Sequence, residues 1–251
     1  YQRSYRGPIQ AVILDWAGTT VDYGSLAPVA AFVRLFAEQE VTISAAEARG
    51  PMGLEKREHI RQLCQTPAIA ARWRERHGRE PNAVDVDRLY ETFVPLQLAA
   101  IRDHAQLIPG CRETVAALRE RGIRIGANTG YSREMMEPLL LAAAEQRYMP
   151  DSPVCATEVP RGRPYPCMSL KNAIELGVEA VQSCVKVDDT VPGIEEGLNA
   201  GMWAVGVAIS GNEIGLTLAD WRALPQLEQG RRRTRARQRL TPPAPDPGPP
   251  R

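Results

Sequence analysis

The chain has 251 residues, 43% of them hydrophobic and 24% charged, as expected of a soluble globular enzyme with room for a core domain and an insertion. No apolar run reaches the roughly 18 residues of a membrane span, and the first seven residues lack the apolar stretch of a signal peptide, so no membrane partner is expected. The net charge of +1 conceals a split: residues 231–251 hold seven arginines against one aspartate, leaving 24 basic and 29 acidic residues before them. Five scattered cysteines (Cys64, Cys111, Cys155, Cys167, Cys184) show no zinc-ligand spacing and no disulfide pattern. A reducing cytoplasm is the compartment this implies.

Residues 9–15 read as a strand whose apolar run ends in Asp15 and breaks at Gly18, as a buried parallel strand does when it feeds a loop. From Ala27 to about Ala99 the periodicity is helical, with Phe32, Leu35 and Phe36 on one face and a capping box at Ser44–Glu47. So long a helical block is too much for one crossover and reads as an inserted cap over 25–99. After Gly110 helices and strands alternate. Strands are expected at 123–127, around Val154, at 184–187 and at 203–207, with helices between them. That alternation predicts an α/β fold: a doubly wound, Rossmann-like parallel sheet built from 1–24 and 100–225. Asp15, Thr129 and Asp189 all fall at strand carboxyl ends, where ligands sit in such sheets. The final stretch, 226–251, has almost nothing to bury and is expected to be a disordered Arg/Pro-rich tail.

Asp15, Thr129, Arg163 and Asp189, in that order and setting, resemble the four motifs of the haloacid dehalogenase superfamily. The likeness narrows with Asp15-Trp16-Ala17-Gly18-Thr19-Thr20, Pro51-Met52-Gly53 with Lys56 and His59, Thr129-Gly130-Tyr131, Gly162-Arg163-Pro164-Tyr165-Pro166 and Asn199-Ala200-Gly201-Met202-Trp203. Over about residues 9–218 these are similar to the phosphonoacetaldehyde hydrolases, or phosphonatases. The resemblance implies cleavage of the carbon–phosphorus bond of 2-phosphonoacetaldehyde to acetaldehyde and phosphate, with Mg²⁺, in phosphonate degradation. It also implies a homodimer through the cap.

By that resemblance Asp15 is the nucleophile and, with the Ala17 carbonyl and Asp189, a metal ligand. A phosphatase needs an acid two residues after the nucleophile to protonate an alkoxide; Ala17 has no proton to give. Lys56 is expected to make good the leaving group as a Schiff base, an electron sink for the C–P electrons. An ordinary lysine, with a pKa of about 10.4, is too protonated for this, so burial or a nearby cation must depress it. His59, three residues on, shares its helix face and is a candidate proton relay. Thr129 and Gly130 are expected to bind phosphoryl oxygens, Arg163 to stabilise their charge, and Met52 and Tyr131 to wall the substrate pocket. Asp188 is read as structural, because adjacent strand residues point to opposite sides. The fourth motif departs from the superfamily in having Pro192-Gly193 where a further acid often follows; Asp188 is a candidate to supply that charge.

Two enzymatic rivals use the same core: a capped phosphatase, which Ala17 disfavours, and a haloacid dehalogenase, which has no use for Lys56. Nucleic-acid binding through the arginines is expected to be weak and non-specific, given the acidic body and the neighbouring prolines. Members of the resembled family continue with another strand and helix where this chain turns to Arg and Pro. A frame-shifted, inactive end that exposes a sheet edge is therefore the remaining alternative.

Overall fold

Five parallel strands form the sheet of the computed structural model, which describes residues 5–241. They are β1 (Ala11–Leu14), β2 (Arg124–Thr129), β3 (Ser152–Cys155), β4 (Cys184–Asp188) and β5 (Trp203–Gly206), in the order β3-β2-β1-β4-β5. β1 is central and entirely buried. Its pleat divides the core: Ala11 and Ile13 pack towards α8 (Cys167–Glu175), while Val12 and Leu14 pack with Val115 of α6 (Cys111–Glu120) and Met135, Met136 and Leu139 of α7 (Arg133–Glu145). Helices thus cover both faces, as parallel strands require. In register, Leu14 stands level with Ala127 and Val187, so the residues that follow all three emerge on one rim.

Between β1 and α6 lie five helices: α1 (Leu26–Ala37), α2 (Ala45–Arg49), α3 (Lys56–Gln65), α4 (Pro67–His77) and α5 (Ala83–His104). The capping box of α2 forms as expected, with Glu47 N–H donating to Ser44 Oγ and the Glu47 carboxylate accepting from Ser44 N–H. α5 runs five residues past position 99, because its buried stripe of Val86, Leu89, Phe93, Gln97 and Ile101 keeps helical spacing to the end.

The second expectation to be corrected concerns the arginines. Gln226–Leu240 is a helix, α11, not a disordered segment. Arginine is a good helix former, Arg232 pairs with Glu228 one turn earlier, and Ala236 and Leu240 are buried at i, i+4 spacing. Leu240 lies against Gly206 of β5, so two small apolar residues anchor a helix whose composition looks unfoldable. The proline run at 242–251 lies outside the described residues. Among those described, β5 is an edge strand, with Trp203 and Val205 exposed by 42% and 48%.

Candidate active site

At the end of β1 the backbone N–H of Asp15 donates to Val187 O, which ties the first loop to β4. The loop then curls so tightly that Trp16 O accepts from the N–H groups of Thr19, Thr20 and Val21. Gly18 is required twice over: its φ is +89°, and a Cβ there would lie 2.3 Å from Asp189 Oδ2. That close approach brings the motif at the end of β4 against the loop that carries Asp15.

Oxygens of Asp15, Asp188 and Asp189 lie within 4.8 Å of one another, all three residues buried. Strand alternation does not separate the last two, since β4 ends at Asp188 and the chain turns there. Asp189 accepts from Asn212 N–H at 2.7 Å and Thr19 Oγ at 3.2 Å. Asp188 accepts from the Thr190 hydroxyl at 2.7 Å, and its other oxygen lies 3.1 Å from Arg163 Nη2 and 3.0 Å from Lys186 Nζ. The departure at Gly193 has a steric explanation: a Cβ there would fall 2.0 Å from the Asp188 carboxylate. Asp188 therefore fills the space a side chain at 193 would need.

Burial, then the charge of Asp188, raises the Asp15 pKa against the pull of Arg163 and Lys186. Burial with the charges of Asp15 and Asp188 lifts Asp189 well above the carboxylate range. Asp188 alone is held below it, the cations of Arg163 and Lys186 outweighing its burial. A buried, all-oxygen cluster with two mutually repelling members is the donor set that suits a hard divalent cation. The residues present fit such an ion.

Arg163 reaches the cluster from the loop before α8. Its Nη2 donates to Asp15 Oδ1 at 2.7 Å and Asn128 Oδ1 at 2.8 Å, and its Nε to Glu196 at 2.9 Å. Burial would weaken this guanidinium as a base, but Asp188, Asp15 and Glu196 hold it firmly protonated.

Lys56 is the first residue of α3, capped by Glu55, whose carboxylate accepts from the N–H groups of Arg57 and Glu58. It is 4% exposed, with Nζ 5.1 Å from the Tyr131 ring centre and 5.7 Å from that of Phe32. Burial, helped by the charge of Arg163, pulls its pKa down to about 8 against the carboxylates of Asp15, Glu55 and Asp189. His59 is fully buried and stacked on Phe32 at 3.9 Å. Its Nε2 lies 2.9 Å from Ala48 O, a hydrogen bond that assigns the proton to Nε2 and leaves Nδ1 a bare lone pair with no partner among the described residues. Burial and the charge of Lys56 hold the ring neutral.

Met52, Lys56, Thr129, Gly130, Tyr131, Arg163, Asp15 and Ala17 all line one cavity. The cap lies tightly against the core: a Cβ on Gly53 would meet the Thr190 side chain at 2.3 Å from Oγ1, and one on Gly130 would meet the backbone at Leu54 O at 2.4 Å. The enclosed space is about 20 Å³, room for roughly one water. His59 shares the helix but does not line this cavity. The sequence reading missed Ser25 and Thr190, which do line it, and Asn128, Lys186 and Glu196, buried polar residues around Arg163 and Asp188. One signal was available: Lys186 is a charge inside the otherwise apolar run of β4.

Residues 9–201 match the model of a haloacid dehalogenase-like hydrolase. The phosphonoacetaldehyde hydrolase of Hahella chejuensis is 59% identical over 96% of this chain and 82% of its own length. That of Syntrophobacter fumaroxidans is 53% identical over 89% and 80%. A crystal structure of a phosphonoacetaldehyde hydrolase-like protein from Oleispira antarctica superposes with a TM-score of 0.92 at 54% identity, covering 93% of this chain and 85% of that one. With likeness of this depth across sequence and fold, the chain belongs to the phosphonoacetaldehyde hydrolase family of the haloacid dehalogenase-like hydrolases.

Proposed function

We propose that the chain hydrolyses the carbon–phosphorus bond of 2-phosphonoacetaldehyde to acetaldehyde and phosphate, the substrate named in its relatives. One observation carries the reading: a buried amine with a pKa of about 8 shares a cavity with Asp15, while position 17 is alanine. The neutral amine of Lys56 adds to the aldehyde carbon, and loss of water leaves a protonated imine. Asp15 then attacks phosphorus. The C–P electrons move into a new C=C bond as the C=N pair returns to nitrogen, giving an enamine and an aspartyl-phosphate. Protonation of the enamine carbon restores an imine, whose hydrolysis releases acetaldehyde and Lys56. A second water hydrolyses the aspartyl-phosphate. His59 is the proton relay of this scheme, acting through water from its free Nδ1. Arg163, Thr129 and Gly130 hold the phosphoryl oxygens, and Met52 and Tyr131 wall the aldehyde end. Asp15, Asp189 and the Ala17 carbonyl would hold Mg²⁺, whose charge offsets that of the phosphoryl group. Asp188 supports them from beside Arg163.

The same reading takes the protein to be a homodimer through its cap, working in the cytoplasm, where its five unpaired thiols are stable. No described helix is long and apolar enough to cross a membrane.

The test is stoichiometric release of acetaldehyde and phosphate, with borohydride trapping of the imine on Lys56 read by peptide mass. Lys56→Arg should abolish both. Turnover surviving that substitution would sink the imine route. A parent that cleaves phosphate esters but not phosphonoacetaldehyde would return the reading to a capped phosphatase.

A further inference from the structure

Glu196 has no part in the chemistry above, yet it is fully buried in α9 (Val191–Asn199) among polar partners. Its Oε1 accepts from Ser169 N–H at 2.9 Å, Ser169 Oγ at 2.8 Å and Asn128 Nδ2 at 3.0 Å. Its Oε2 accepts from Arg163 Nε at 2.9 Å. Among the described residues these four donors are its hydrogen-bond partners, a setting that an acceptor-only carboxylate satisfies and an amide does not. Asn128 closes the circuit: its Oδ1 accepts from Arg163 Nη2 and, at 2.7 Å, from Lys186 Nζ, the buried lysine paired with Asp188. A guanidinium turns freely about its Cδ–Nε bond unless both Nε and a terminal nitrogen are held.

We propose that Glu196 is a positioning residue: it fixes the roll of Arg163, so that Nη2 faces Asp15 and the phosphoryl oxygens. The inference rests on the reading that Arg163 stabilises the phosphoryl group. Because Glu196 touches neither the aldehyde end nor Lys56, its loss should slow the phosphoryl step and spare imine formation. Misplacing one charged group by an ångström costs on the order of 10²-fold in rate.

The experiment compares the parent with Glu196→Gln, Arg163→Lys and the double variant. It reads kcat and KM for phosphonoacetaldehyde, inhibition by inorganic phosphate, borohydride trapping with acetaldehyde, and Tm. Glu196→Gln is expected to lower kcat about 10²-fold and weaken phosphate inhibition, with trapping at the parental rate. Once lysine replaces Arg163 there is no Nε–H to hold, so the second substitution should then cost less than about twofold. An equal factor in both backgrounds would overturn the proposal, as would loss of trapping in step with kcat. If Glu196→Gln does not fold, Glu196→Asp keeps the acceptor-only group but shortens its reach; full kcat in that variant overturns the proposal. Full kcat in Arg163→Lys would instead sink the reading of Arg163 and take this inference with it.

Discussion

Lys56→Met should yield a dead enzyme that is more stable than the parent. The buried ammonium of Lys56 has no hydrogen bond or ion pair among the described residues; its neighbours are the rings of Tyr131 and Phe32. Its pKa falls from 10.5 to about 8, and at 4% exposure little solvent screening discounts that fall. Each pH unit is worth about 1.4 kcal/mol, so keeping this charge costs the fold about 3 kcal/mol below pH 8. Between pH 8 and 10.5 the unfolded chain binds the extra proton and the folded chain does not. Stability should therefore rise with pH across that window in the parent, and this rise should be missing in Lys56→Met. For a chain of this size the gain is about 6–12 °C in Tm at pH 7. The assay is thermal unfolding from pH 6 to 10 in EDTA, because a cation beside Asp15 and Asp189 would push the amine lower still. A methionine variant no more stable than the parent at pH 7 would refute the argument. So would parallel stability curves, for the strain would then not be electrostatic. The same pKa sets the kinetics: kcat/KM should fall tenfold per unit below about pH 8.

Removing divalent cations should abolish turnover, and restoring Mg²⁺ should recover it while raising Tm; a Tm indifferent to the ion would deny it a site among Asp15, Asp188 and Asp189. Gly53→Ala places a Cβ where Thr190 Oγ1 stands, at a φ of +96°. It should keep the cap from closing and lower kcat/KM at least tenfold, with a lower Tm from an alanine at positive φ; wild-type kinetics would show that closure tolerates a side chain. Gly193→Asp and Asp188 compete for one volume, so the single variant should be badly destabilised, whereas Asp188→Gly combined with Gly193→Asp should regain stability and metal response. A double variant as weak as the single would mean that the backbone at 193, not the space, demands glycine.

How much of this was legible depended on whether a residue breaks the pattern of its own segment. The strand carboxyl ends gave Asp15, Thr129 and Asp189, because a parallel sheet must present them together. Glycines were visible as breaks, but not as contacts: nothing local to Gly53 or Gly130 says that the Thr190 side chain lies against the one and the Leu54 backbone against the other. Glu196 and Asn128 were invisible, since a polar residue on a helix or at a strand end is usually solvated, and only the tertiary fold turns these two inwards. The arginine helix was misjudged for the opposite reason. Composition described its six exposed or half-buried arginines and overlooked that Ala236 and Leu240 suffice to dock it.

Charge explains why the two halves of the site have to meet. The buried carboxylates Asp15, Asp188, Asp189 and Glu196 surround two buried basic residues of the core, Arg163 and Lys186. Burial and mutual repulsion raise the pKa values of Asp15 and Asp189, so a divalent ion beside them would favour their charged forms, and a dianionic phosphonate adds to the demand for positive charge. The cap contributes one more group, and it is the amine of Lys56. Were Lys56 held as an ion by a carboxylate partner it would balance the site but could not attack a carbonyl. Set instead among aromatic rings and glycine-tight backbone, it is drawn towards neutrality by burial, which leaves Arg163 and, on the proposed mechanism, a divalent ion to balance the charge. On the proposed mechanism the core would carry out phosphoryl transfer, and the cap would bring the electron sink that a carbon leaving group needs.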